Sequence, residues 1–189
     1  KSKGVQMFRA FRFDPEKTIQ AVAFLLRREP NRCMNYMRLL KVLYIAEREI
    51  LAGSGAPLTG SPVVAMQRGP VLQDAYNLIR NKHPATPRWA MFFRVDHYRL
   101  VMSADPGIGK LSKFAVNKLE EVATRHQDDD EWAMVEFTHT LPEWQANDPG
   151  TSSKNIPFED ILAAIGRKEN LKKIVTAARP DRSEKRSVG

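Results

Sequence analysis

Four histidines, one cysteine and a run of acids are the side chains in this sequence best suited to bond-making chemistry. Hydrolytic and metal-assisted reactions draw on imidazole because it exchanges a proton near neutral pH and ligates metals through either ring nitrogen. His83, His97, His126 and His139 are widely spaced, and none has a second His or Cys at the offset that metal ligands keep, so neither a metal nor a cofactor is expected. His126 with Asp128, Asp129, Asp130 and Glu131 has the composition of a cation site, but a charge run joining two helices is expected to be a solvated linker. Cys33 has no neighbouring base to make it a nucleophile, and a small, partly buried side chain is expected there. The dinucleotide, P-loop and zinc-protease patterns are missing, and "PGIGK" is only half of a phosphate loop.

His139 is the one histidine in a suggestive setting. In "EFTHTLPEW", Thr138 and His139 close a helix whose negative end suits an imidazolium, and Trp144 follows across Pro142. The ring and the imidazole together would lock the following loop, one as an apolar plug and the other as a hydrogen-bond post. Catalysis would need Glu143 or Asp148 as a second group, and the structural role is the expectation, so no catalytic residue and no enzyme is assigned. A second feature is "VVAMQRGPVLQDAY", where an apolar run stops at Arg68 and a Gly-Pro pair follows. Gly69 and Pro70 are expected to turn an extended segment into a helix, and the free amides of that helix with Arg68 form an alternative anion site.

The elements around these residues follow from periodicity. Asp14 and Pro15 start a helix that runs to about Arg28, before Pro30. Residues 35–52 form the longest apolar helix, with a stripe so wide that it belongs in the core, ended by the glycines at 53 and 55. A short strand at 63–66, a helix through Tyr76, a hairpin about Asp96 and His97, and helices over 111–126 and from Trp132 follow. A loop of about fifteen residues from Leu141, a sixth helix at 156–165 and a seventh at 169–178 complete a mostly α, compact helical domain of about six or seven helices with one small β-hairpin.

Charge sets the organisation and narrows the function. The chain has 189 residues and a formal charge of +8, but residues 13–166 hold 18 cations against 19 anions. Residues 1–12 carry four cations with no anion, and residues 167–189 carry eight cations with three anions. The expected organisation is a basic N-terminal extension over 1–12, a single domain over 13–178 and a disordered basic tail over 179–189. A reading face for nucleic acid needs cations on the body itself, so DNA is left only to the ends. No apolar run approaches the length of a membrane span, no secretory signal is expected, and a solitary Cys33 fits a cytoplasmic protein.

Three pieces in order then resemble one family. "LLKVLYIAE" with Lys41, Leu43 and Tyr44, "AMQRGPVLQDAY" with Ala65, Gly69, Pro70, Val71 and Tyr76, and "THTLPEW" with Thr138, His139 and Trp144 resemble the Panacea domain, the SocA-like antitoxin family. The likeness covers roughly residues 15–165. Met66 departs where the pattern has Trp, and Arg68 where Tyr, His or Asn is commoner, which implies an altered surface beside the joint. The resemblance implies an antitoxin of a type II toxin–antitoxin or phage-associated system that binds and silences a cognate protein toxin. A regulator of its own operon, binding operator DNA through the basic ends, is the alternative, and a homodimer is compatible with either. Tyr44, Met66, Arg68, Tyr76 and Trp144 are the expected partner-binding residues, with Lys41, Gly69, Pro70, Val71, Thr138 and His139 as the structural motif. Arg88, Trp89, His97 and Tyr98 form a competing patch.

Overall fold

The computed structural model describes residues 11–167. Local signals start and stop its main helices. Helix α1 (Pro15–Arg27) begins where the Asp14 carboxylate accepts from the Lys17 amide at 2.9 Å, with Pro15 where no donor is needed. Helix α2 (Tyr36–Ser54) is capped by Asn35, which accepts from the Met37 and Arg38 amides, and ends at Gly55 with a φ of 75°. Helix α5 (Lys113–Arg125) uses Ser112 as its cap, and α6 (Glu131–His139) uses Asp130. Asp129, also in the acidic run, lies 2.6 Å from His126 Nδ1. Two members of the run expected as a solvated linker are therefore a helix cap and a histidine partner.

The shorter helices are α3 (Gln73–Ile79) and α4 (Thr86–Trp89), between α2 and α5, and α7 (Pro142–Gln145) and α8 (Phe158–Ala164), after α6. Six strands join them: β1 (Cys33–Asn35), β2 (Val63–Met66), β3 (Gly69–Leu72), β4 (Phe93–Asp96), β5 (Arg99–Met102) and β6 (Lys154–Ile156). They form two antiparallel three-stranded sheets, in the orders β1-β5-β4 and β3-β2-β6. The core is built on α2, which packs against α5, α6, α1 and β3. Leu39, Val42, Leu43, Tyr44, Ile45 and Ala46 on it are almost wholly buried. Among the described residues no helix is long and apolar enough to cross a membrane.

The mostly α expectation is wrong, because two sheets and eight helices among the described residues make the fold mixed α/β. The hairpin about Asp96 and His97 is present as β4–β5, but β1, β3 and β6 were not expected. Strand β1 is three residues long, too short to show an alternating pattern. Strand β6 spans the end of the segment expected as a loop and the first residue of the expected sixth helix, and gains its order by pairing with β2 some ninety residues earlier. The expected loop also contains all of α7. The expected helix over 169–178 and the tail over 179–189 lie outside the described residues, as does all but the end of the basic extension over 1–12.

The Gly-Pro joint is also different in kind from the expected strand-to-helix corner. Met66 pairs with Gly69 and Ala65 with Pro70, so Gln67 and Arg68 are the turn of a tight β2–β3 hairpin, and α3 begins only at Gln73. Proline is tolerated there because β3 is an edge strand, where a missing donor breaks no essential pairing. Gly69 has a φ of 101°, and a Cβ at that position would overlap the Thr138 hydroxyl and crowd Lys41. Gly69→Ala is therefore expected to destabilise the chain by about 2–4 kcal/mol, from left-handed strain plus overpacking. Urea denaturation measures it, and a loss under about 0.5 kcal/mol, within the range of ordinary surface substitutions, would show that the close approach is dispensable.

Candidate functional site: a clamped hairpin turn beside a cleft

Helical periodicity places Lys41, Tyr44 and Arg48 on adjoining turns of α2, three and four residues apart. Lys41 is 2% exposed, and its Nζ donates to the Pro70 carbonyl at 3.0 Å. From the other direction, Trp144 Nε1 donates to the Met66 carbonyl at 3.1 Å, and His139 Nε2 donates to the Gln67 carbonyl at 3.0 Å. Three carbonyls of one short hairpin thus each receive a side-chain donor. The His139 and Trp144 rings stack at 4.0 Å with a 17° tilt, so each fixes the orientation of the other. Gln145 adds a bond to the His139 carbonyl. Burial of Thr138 beneath Gly69 completes the grip.

A second buried cluster supports α7. The Glu143 side chain is fully enclosed, accepting from Tyr44 OH at 2.8 Å and from Arg48 Nε at 2.6 Å, with Arg48 Nη2 at 3.3 Å from its other oxygen. The Tyr44 hydroxyl is held well above its usual pKa, by burial first and by the Glu143 charge second. One turn away, Glu47 accepts from the amides of Leu58, Thr59 and Gly60 and from the Thr59 hydroxyl. Burial raises the Glu47 pKa, and those four donors oppose the shift. Tyr44, Glu47 and Arg48 also border a cavity of about 340 Å³ whose far wall includes Phe158 and Ile161.

The remaining face of the turn looks outward. A cleft of about 590 Å³ is lined by Lys41, Met66, Arg68 and Tyr76 together with Tyr36 and residues 151–153. Arg68 is exposed, and its guanidinium lies 5.1 Å above the ring of Trp132, itself 53% exposed. Tyr36 joins this cleft to the β4–β5 tip: its amide donates to the Tyr98 carbonyl at 2.9 Å, and the two rings lie 6.5 Å apart. Tyr98 is 73% exposed.

The five residues expected to bind a partner therefore separate. Met66, Arg68 and Tyr76 share the cleft. Tyr44 and Trp144 are buried: Trp144 holds the turn from behind through the Met66 carbonyl, and Tyr44 holds Glu143 of α7. Of the competing patch, Tyr98 adjoins the cleft through Tyr36, His97 pairs with Asp96 at the hairpin tip, Trp89 is buried against Phe93, and Arg88 pairs with Glu16 at 2.8 Å. His139 is engaged with Gln67 and Trp144, whereas the carboxylate of Glu143 turns to Tyr44 and Arg48 and that of Asp148 accepts from the Gly150 amide. These partners give His139 a holding role. Sequence reasoning misses Tyr36, Trp132 and Glu47, and names Glu143 only as an acid that a catalytic His139 would need. The signal for Glu47 is a charge within the mostly apolar girdle of α2, and that for Glu143 is its place four residues after His139, which points to the wrong partner.

Burial lowers the Lys41 pKa from 10.5 to about 7. A depressed folded-state pKa gives a stability contribution that is complete above 10.5 and lost as pH falls through about 7. Stability is thus expected to rise by about 1 kcal/mol per pH unit between about pH 7 and about pH 10. Lys41→Met should remove that slope and leave the chain at least as stable at neutral pH. Denaturation midpoints across the range decide it; parallel curves for the two proteins would place the charge elsewhere.

A family model described as "Antitoxin SocA-like, Panacea domain" matches residues 39–145. The matched stretch contains the β2–β3 turn and each of the side chains that grip it. No curated protein and no solved structure matches the chain.

Proposed function

The chain belongs to the SocA-like antitoxin family of Panacea domains, and we accordingly propose that it neutralises a cognate protein toxin by direct contact, as the antitoxin of a type II system, acting by binding and without catalysis of its own. The face used is the one that carries the clamped turn. What supports this reading most is the contrast between the two sides of that turn. Buried posts immobilise the backbone of residues 66–70 on one side, while Met66, Arg68 and Tyr76, with Trp132 nearby, are offered on the other. Arginine, methionine and aromatic side chains are the types enriched where proteins anchor one another. Holding them on an ordered turn lowers the entropy lost on docking.

Co-expression with the product of each adjacent reading frame tests the proposal. One of them is expected to arrest growth alone, to be relieved by this chain and to co-elute with it. Failure to relieve any neighbour's toxicity overturns the reading. The basic ends support operator binding as a separate activity, with a test of its own: a promoter fragment shifted at low salt, with steep salt dependence that disappears when residues 1–12 and 167–189 are deleted.

A further inference from the structure

Several arginines outside the cleft are each matched by an acid: Arg27 with Asp105, Arg38 with Glu29, Arg48 with Glu143, Arg88 with Glu16 and Arg125 with Glu49. Lys41 and Arg68 both line the cleft, and no carboxylate among the described residues lines it with them. The Lys41 bond to the Pro70 carbonyl uses one of three ammonium donors, at a site from which water is almost excluded. A cation so placed is poorly solvated and gains most from an anion that reaches it.

The rest of the lining restricts what that anion is attached to. Met37, Leu40 and Val71 give an apolar wall, and the hydroxyl-bearing residues Tyr36, Tyr76 and Ser153 complete the lining with them. A volume of about 590 Å³ accommodates a few side chains. Nucleic acid would require a row of cations tracking successive phosphates, whereas residues 13–166 hold 18 cations against 19 anions. We propose that the cleft receives an aspartate or glutamate side chain from a segment of the protein partner, seated between Lys41 and Arg68, with an adjoining apolar residue against Leu40 and Val71. This rests on the antitoxin reading for the partner's identity and on the cleft alone for its chemistry. Arg68 at the exposed turn makes the first contact, and the acid then reaches Lys41, whose charge it stabilises.

Random-sequence peptides displayed on phage, joined to the coat protein through their C-termini, provide the probe. Panned against the full chain, they are expected to enrich sequences with Asp or Glu beside an aromatic or aliphatic residue. Replacing that acid by its amide should weaken binding by about tenfold or more. Arg68→Glu and Lys41→Met should each weaken it to a similar degree while melting cooperatively. Enrichment of basic or purely apolar sequences, enrichment of none, displacement of the peptide by duplex DNA, or unchanged affinity in both variants overturns the proposal. Growth rescue separates it from the reading it builds on. Acidic peptides that bind without rescue of any neighbour leave the cleft's chemistry standing and remove the antitoxin role. Rescue that persists undiminished in both Arg68→Glu and Lys41→Met removes the acidic anchor and keeps the antitoxin.

Discussion

Glu143→Ala is expected to destabilise the folded chain by about 3–5 kcal/mol, the usual loss when one partner of a buried charge pair is deleted. The side chain is completely enclosed and receives both Tyr44 and Arg48, which lie on the central helix. Removing it leaves a guanidinium that is only 19% exposed without its counter-charge and a buried phenol without an acceptor. Glu143→Gln retains an acceptor for Tyr44 and loses only the charge, so its cost should fall clearly below that of alanine. Urea denaturation distinguishes them through the midpoint, with the slope unchanged. Equal and small losses in the two variants would mean that water replaces the carboxylate at no cost. The acid would then be dispensable for joining α7 to α2.

Trp144→Ala is expected to cost a comparable amount, about 3–5 kcal/mol, because it empties a large buried volume. It also removes the donor to the Met66 carbonyl and the surface on which His139 stacks. Trp144→Phe preserves an aromatic face and loses the donor, for an expected cost of about 1 kcal/mol from the missing hydrogen bond, together with some packing loss. His139→Ala should lie between them at about 1–3 kcal/mol. A further readout separates a clamp from ordinary core packing. With the turn released, binding of the partner should weaken even at temperatures where Trp144→Ala remains folded, although the indole does not face the partner. Retained affinity in a folded Trp144→Ala protein would show that the turn holds its shape unaided.

How much of this was legible in the sequence depends on the range over which each feature is determined. Asp14, Asn35, Ser112 and Asp130 cap helices through bonds spanning two or three residues, so the helix starts could be read directly. The pairing of His139 with Trp144 was also readable, since five residues separate them. Strand β3 was not, because Gly69 and Pro70 are poor strand formers and are accepted only at a sheet edge whose existence no local pattern records. Tyr44 is expected to bind a partner for its type and its place near the matched motifs, yet its hydroxyl is satisfied by Glu143, far along the chain. The three family motifs converge on one turn, as a shared function would suggest, but which atoms they hold became visible only with the carbonyls of residues 66, 67 and 70 in place.

The position of β2 has a consequence for the order in which the molecule assembles. Its two neighbours come from opposite ends of the problem: β3 follows after a two-residue turn, whereas β6 arrives some ninety positions later. A ribosome therefore releases the β2–β3 ribbon long before the strand that seals its outer side, and for that interval the unprotected margin is a template for any extended peptide nearby. Newly made chains are then vulnerable to mispairing and to proteolysis until Lys154–Ile156 docks. Truncations that end before residue 154 should accumulate as insoluble or degraded material even though the matched stretch is intact.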